Sequence, residues 1–462
     1  MQPVGIDPLV APDYPIFHIL YKNGTAEGAA PPSAKRSPMN SPLNTLSVTE
    51  LRKGMADGAF SAAEVMEACL ARIAAREPEL KAWISLDEDG AMAAARKAGT
   101  ARALDGIPFG VKDVFSTATL PTQMGSSLYA GNQSRFDAAA VGLLRQAGAI
   151  VIGKTATAEF AGTAPAETRN PLNAMHTPGG SSSGSAAAVA DHMVPFALGT
   201  QTGGSVIRPA AFCGVVGFKP SFGIYPVDGM KLAAQSFDTV GLFTRSAEDA
   251  ALLHSVFMPG LSAETPGPFR IGVLETHLQG TLAPGTMEAV AAATAALEDA
   301  GCSVTPVAAP GWLRELTAHR AVVNAFERRG ALAAEAFEHL DGFRQETKKT
   351  WDAGQKVTGD AYLDARRAVD AARIAAAGLF ADVDILLMPA TPDEAPEGLH
   401  ATGDPRLQEL WTTLHLPSLC LPVGHGPTGL PLSIQFVAPL YRDAHLLAAA
   451  IEAERILKQH TL

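Results

Sequence analysis

Pro178-Gly179-Gly180-Ser181-Ser182-Ser183-Gly184-Ser185-Ala186-Ala187-Ala188-Val189 and Gly199-Thr200-Gln201-Thr202-Gly203-Gly204-Ser205-Val206-Ile207-Arg208-Pro209-Ala210-Ala211-Phe212-Cys213 are the stretches on which the fold is decided. Each holds a Gly-Gly-Ser turn, the two serines lie 24 residues apart, and each turn runs into small, helix-forming residues. Glycines let backbone N–H groups converge, and a helix start adds donors and the positive end of a dipole. Such a place holds an anion, including one that exists only in a transition state. Four roles fit a segment of this kind. A phosphate loop needs a lysine after its second glycine, and none follows Gly184. A dinucleotide fingerprint needs G-x-G-x-x-G after a strand, which is absent. Gly180 to Gly184 matches G-x-S-x-G with Ser182 at its centre, but Asn173 to Pro178 is polar and turn-like where that motif needs a buried strand. A flexible Gly/Ser linker is the plain alternative, although linkers seldom lead directly into apolar helical sequence.

Outward from this centre, strands and helices alternate. Ile107-Pro108-Phe109-Gly110-Val111 reads as an apolar strand ending at Lys112-Asp113, Ala138 to Ala147 as a helix, and Ala149 to Lys154 as a buried strand. Phe269 to Leu274 and Asp384 to Met388 read as further buried strands, with Ala-rich helices over 286–300, 313–340 and 360–380. Ser47-Val48-Thr49-Glu50 and Ser61-Ala62-Ala63-Glu64 are capping boxes, the second opening a helix with Val65, Met66, Cys69, Leu70 and Ile73 on one face. Helices mixed with apolar strand runs predict an α/β layered sheet protein. No internal repeat is visible. Residues 1–44, with eight prolines and little periodicity, read as a poorly ordered extension preceding a domain over 45–462.

The 462 residues carry a net charge of −11, and no basic run exceeds pairs such as Arg366-Arg367. That balance argues against a general nucleic-acid binder. The cysteines (Cys69, Cys213, Cys302, Cys420) lie far apart without ligand spacing, so no metal and no cofactor is expected, and a reducing, cytoplasmic setting is. No apolar run is long enough to span a membrane.

The pattern resembles the amidase signature family, a group of Ser-Ser-Lys hydrolases. Four stretches carry the resemblance: Gly106 to Asp113, Pro178 to Ser185, Gly199 to Ser205 with Pro209 to Pro220, and Gly429 to Gln435. It covers the chain from about Leu46 to the C-terminal helix. It implies a single α/β/α layered domain with a large mixed β-sheet covered by helices. It also implies Ser205 as nucleophile, Ser181 as bridging serine after a cis Gly180–Ser181 bond, and Lys112 as base. The backbone N–H groups of Thr202, Gly203, Gly204 and Ser205 would form the oxyanion hole. The chemistry is coherent: a serine needs a base in reach, and a lysine serves only when burial keeps its amine neutral. Ser182 and Ser183 are read as hydrogen-bonding support for the loop. His176, alone before the first turn, is left without a catalytic task. Asp113 is read as a local counter-charge to Lys112 or a surface carboxylate.

Two departures stand beside the nucleophile. Many members have an acidic residue where this chain has Gln201, and an arginine two residues after the nucleophile; here Arg208 follows three after. The neighbouring ion-pair network is therefore expected to differ, with Arg208 supporting the loop. Met124, Tyr129, Glu159, Phe160 and Leu232 are the expected pocket liners. The expected activity is hydrolysis of a small or medium organic amide or carbamate, with esters as side substrates and water as co-substrate. The alternative is a component of an amidotransferase that works on aminoacyl-tRNA with partner subunits, and a catalytically silent binding protein on the same fold is another. Dimers are common in the family, and the sequence offers no test of a homodimer here.

Overall fold

A computed structural model of the chain describes residues 41–261 and 269–460. Most of the proline-rich extension, residues 1–40, lies outside the described residues. A 3₁₀ turn, Leu43–Thr45, already precedes the first helix, so described structure begins just ahead of residue 45.

The helix starts obey their local signals. Ser47 Oγ accepts the Glu50 N–H at 3.1 Å, and the Glu50 carboxylate accepts the Ser47 N–H at 2.8 Å. Ser61 and Glu64 repeat the exchange at 3.2 and 2.8 Å at the start of the helix Ala62–Leu80. Val65, Met66, Cys69 and Ile73 of that helix are buried and Leu70 packs beside them half-buried.

Among the described residues eleven strands form one sheet: β1 Trp83–Leu86, β2 Pro108–Lys112, β3 Ile150–Thr155, β4 Phe196–Gln201, β5 Val216–Lys219, β6 Thr239–Thr244, β7 Arg270–Glu275, β8 Ser303–Ala308, β9 Ile385–Pro389, β10 Ser418–His425 and β11 Pro431–Val437. Their spatial order is β1-β3-β2-β4-β6-β5-β10-β11-β9-β7-β8. β3, β2 and β4 run parallel, as do β9, β7 and β8, and the remaining pairs are antiparallel. The expected large mixed sheet is therefore present. Both faces are covered, as β9 shows by alternation: Ile385 and Leu387 join one apolar cluster, Leu386 and Met388 the other. The sequence reads Phe269 to Leu274, most of β7, as a buried strand. Next to the edge strand β8 that strand instead keeps Ile271, Gly272 and Leu274 buried and exposes Arg270 and Glu275. The helix expected over 313–340 divides at Leu332 into Gly311–Ala331 and Ala333–His339, and Leu332 turns into a small cluster with Phe160 and Phe343. The polar helix Gln345–Gln355 carries no apolar stripe long enough to announce it.

The short helix Ser183–Ala190 is buried along almost its whole length and packs on β2, β3 and β4. Its small residues permit that approach. A Cβ on Gly184 would come well inside 3.0 Å of the Ala82 carbonyl and the Ala156 N–H. Helix propensity favours alanine over glycine by about 1 kcal/mol. Overlap with fixed backbone on two sides outweighs it, at about 1–3 kcal/mol or more. Gly184→Ala is thus expected to destabilise the protein in denaturant unfolding; a gain in stability would show that the helix can retreat from the sheet.

Candidate active site

β2 and β4 are parallel neighbours in register Val111 to Leu198, so their C-terminal ends emerge at the same edge of the sheet. Lys112 ends β2, and Thr200 and Gln201 end β4. Lys112 Nζ donates to Thr200 Oγ1 and to Ser181 Oγ, each at 2.7 Å. Ser181 stands at the foot of the helix Ser183–Ala190, and the Gly180–Ser181 peptide bond is cis. Lys112 is completely buried, and among the described residues no carboxylate lies within 4.0 Å of its amine. Burial holds its pKa well below the usual lysine range. Asp238 opposes that shift, and Arg328 and Arg208 add to it.

The second turn is braced from several sides. Gln201 Oε1 accepts the N–H groups of Val206 and Ile207 at 2.8 and 3.0 Å, and its Nε2 donates to Thr412 Oγ1 at 3.0 Å. A neutral amide thereby meets the free N–H groups at the start of the helix Ile207–Cys213. Thr202 donates its hydroxyl to Asp238, whose other oxygen takes the Ala233 and Ala234 N–H groups at 2.5 and 2.9 Å. Arg208 Nη2 reaches the Gly180 carbonyl at 2.6 Å and Thr402 Oγ1 at 3.1 Å, tying one Gly-Gly-Ser turn to the other. The expected supporting role of Arg208 has this geometry behind it.

Among the described residues, the backbone N–H groups of Gly203, Gly204 and Ser205 donate to no acceptor, and the Ser205 hydroxyl has no hydrogen-bond partner. These residues and Thr202 line a cavity of about 160 Å³, together with Arg208, Arg320, Asn324, Arg328, Thr402 and Glu409. A Cβ on Gly204 would press on the end of the Gln408 side chain, so glycine gives the closest packing there. The structure joins Lys112 to Ser181, sets Ser205 in the cavity, and leaves Ser205 unconnected to either by a hydrogen bond.

Other expected residues fall elsewhere. Ser182 Oγ bonds the Thr200 backbone at 3.3 Å and Ser183 Oγ the Gly179 carbonyl at 2.8 Å, both in support of the loop. His176 Nδ1 contacts the Ala395 carbonyl at 2.7 Å and takes no part in the cavity. Asp113 is neither exposed nor paired with Lys112; it is buried in an ion pair with Lys154 at 3.0 Å. None of the five expected pocket residues lines the cavity at Ser205. Met124, Tyr129 and Phe160 belong to an apolar cluster with Phe343 and Leu332, with Tyr129 Oη donating to Glu335 at 2.6 Å. Glu159 is buried with its carboxylate occupied by Ser126, the Arg344 N–H and Thr347. Leu232 packs half-buried on the main core.

Sequence reasoning missed Thr200, Asp238, Arg320 and Arg328. A signal existed for the arginines: positions 320, 323, 327 and 328 of the helix Gly311–Ala331 are buried, so charged residues share the inward face with Leu313, Leu316 and Val323. Among the described residues no cluster of three or more His, Cys, Asp or Glu is arranged to hold a metal ion. No described helix is long and apolar enough to cross a membrane.

Comparison with known proteins places the chain in a family. A glutamyl-tRNA(Gln) amidotransferase subunit from Chloroflexus aggregans is 32% identical over 91% of this chain and 98% of its own length. A crystal structure of an amidase superposes with a TM-score of 0.82 at 28% identity, covering 90% of this chain and all of that one (100%). The structure of 6-aminohexanoate cyclic dimer hydrolase with its substrate gives 0.81 at 26% identity, over 90% and 97% of the two chains. The family model described as Amidase matches residues 64–447, and on that span and these relatives the chain belongs to the amidase signature family.

Proposed function

We propose that this enzyme hydrolyses the C–N bond of a small amide or carbamate through an acyl-enzyme on Ser205. The observation that carries the reading is the buried Lys112 amine, without a carboxylate partner and 2.7 Å from Ser181 Oγ. A neutral amine keeps one lone pair and two N–H groups. It can give an N–H to Thr200 and accept the Ser181 proton, while Ser181 takes the proton of Ser205. Ser205 Oγ then bonds to the substrate carbonyl carbon. The oxyanion meets the unoccupied N–H groups of Gly203, Gly204 and Ser205, where each donor is worth roughly 10²–10³ in rate. Lys112 returns its proton through Ser181 to the leaving nitrogen, because an amine anion is a poor leaving group. Water, activated by the same relay, attacks the acyl-enzyme and releases the acid. Ser205 must turn toward Ser181 when a carbonyl enters, and catalytic hydrogen bonds of this kind often tighten only with substrate present.

Labelling with a fluorophosphonate followed by peptide mass spectrometry tests the nucleophile. One adduct on Ser205, absent from Lys112→Met, is the expected result; an adduct on Ser182 would transfer the reaction to the Gly180–Gly184 segment.

A second reading concerns where the nitrogen goes. The relatives at 32 to 33% identity carry the name of a glutamyl-tRNA(Gln) amidotransferase subunit, and on those names the partner-dependent role has the stronger support. Acidic balance does not exclude it, because other chains of an assembly can supply the surface that holds RNA. The same half-reaction serves both roles: cleavage at Ser205, with nitrogen released as ammonia when the substrate is a primary amide. Turnover of small amides by the chain alone favours the free-standing hydrolase; ammonia release from glutamine only with co-purified partners favours the partner-dependent role.

A further inference from the structure

The cavity beside Ser205 holds a concentration of positive charge; Arg208 and Arg328 help to keep Lys112 neutral, and no step of the proposed hydrolysis sets an anion against these arginines. Arg208, Arg320 and Arg328 all line it, and their residues are only 4%, 8% and 7% exposed. Among the described residues one carboxylate meets them directly, Glu409, at 3.0 Å from Arg320 Nη1. Among the described residues no carboxylate lies within 4.0 Å of Arg208 or Arg328, and Asp404 and Glu409 act on Arg208 only from farther away. The Asp238 oxygens are occupied by Thr202 and by the Ala233 and Ala234 N–H groups. The guanidinium donors are under-used: Arg328 gives one hydrogen bond, to the Ala161 carbonyl at 2.9 Å. The Nε atoms of Arg208 and Arg320 are buried without any partner. Burial lowers the pKa of all three, which reports the same desolvation. Removing such charges from water is costly unless an opposite charge meets them.

Their location says what that charge belongs to. Arg320 and Arg208 lie against Gly203 and Gly204, the residues whose N–H groups would face the reacting carbonyl. An anion held there sits within a few atoms of the bond to be broken. The cavity of about 160 Å³ has room for a small molecule. Guanidinium forks match planar carboxylates with paired hydrogen bonds.

We propose that the preferred substrates are short amides bearing a carboxylate, and that Arg208, Arg320 and Arg328 receive that carboxylate beside Ser205. The proposal rests on the assignment of the reaction to Ser205 for its catalytic half, and on the cavity alone for its binding half. The two are separable by experiment. For activity, the monoamides malonamate, succinamate and glutaramate are compared with their neutral diamides, which have the same number of heavy atoms. The matching acid is expected to exceed its diamide in kcat/KM by about 100-fold or more, because a neutral analogue leaves buried charges unmet. Arg328→Gln should collapse that ratio toward unity, and Arg328→Lys should restore part of it. If Arg328→Gln does not fold, Arg320→Gln serves the same comparison. Equal turnover of acid and diamide overturns the proposal. So does an Arg328→Gln enzyme in which both rates fall and the ratio stays, since Arg328 would then act only through Lys112.

For binding, the thermal midpoint of Ser205→Ala is measured with malonate, succinate, glutarate, inorganic phosphate and the three diamides at matched ionic strength. A rise with one of the dicarboxylates, absent with the diamides and lost on adding Arg328→Gln, supports the carboxylate site. A rise with phosphate alone, or with none of these compounds, overturns it. A dicarboxylate-dependent rise in a protein whose wild type hydrolyses no amide would keep the anion site and sink the hydrolase reading.

Discussion

Ser205→Ala is expected to lower kcat/KM by about 10⁴–10⁶-fold, the range seen when an activated serine is removed from enzymes of this kind. The folded state should scarcely notice. The Ser205 hydroxyl has no hydrogen-bond partner among the described residues and faces a cavity, so its removal leaves no buried group unsatisfied. Its denaturation free energy is expected within about 0.5 kcal/mol of wild type. The pairing of the two measurements is diagnostic. An inactive but equally stable variant assigns the chemistry to Ser205, whereas retained turnover would move the nucleophile elsewhere. Ser181 differs, since Ser181→Ala would strip Lys112 of one of its two acceptors.

Lys112→Met should reduce turnover by about 10²–10⁴-fold, the usual worth of a positioned general base. The pH dependence has a definite sign. The base acts when neutral, so wild-type activity should rise as pH passes upward through the lowered Lys112 pKa, and this limb should be absent from Lys112→Met. Stability carries the matching signature. Between the lowered folded-state pKa and the ordinary 10.5, the unfolded chain binds a proton at Lys112 that the native state does not. Unfolding stability therefore gains a rising contribution with pH across that window. Above both pKa values the contribution is constant, and below both the burial of a charged amine weighs fully against folding. Denaturant unfolding of wild type and Lys112→Met over a pH series reads the difference. A wild-type minus variant difference that is flat with pH would mean that Lys112 is charged in the native state and unfit as a base.

Local signals made much of the fold legible in the sequence. The capping boxes at Ser47 and Ser61 depend on residues three apart, and β2, β3 and β9 on short apolar runs. The strand boundaries of β4 to β6 were harder to read. β4 holds a glycine and runs straight into the Gly-rich turn, and central strands buried on both faces lose the alternation that marks a strand. The pocket was the least legible part. Residues near the motifs in sequence, such as Glu159 and Phe160, were natural guesses, yet Glu159 is tied to Ser126 and Thr347 and Phe160 stacks edge-on against Tyr129 and Phe343.

By itself, then, the sequence determined the small-residue turns, the helices they open, the serines and lysine at their ends, and the family those patterns match. Each of these follows from residues a few positions apart. Tertiary structure alone decided that Lys112 meets Ser181 and Thr200 in the core, that Gln201 caps a helix, that Asp113 pairs with Lys154, and that three arginines crowd Ser205. The reason is sequence separation. Lys112 and Thr200 are 88 residues apart, and Arg320 stands 118 from the Thr202 carbonyl that it meets. Only the order of strands in the sheet and the helix packed over its edge bring such groups together, and that order is set by burial summed over the whole chain rather than by any local spacing.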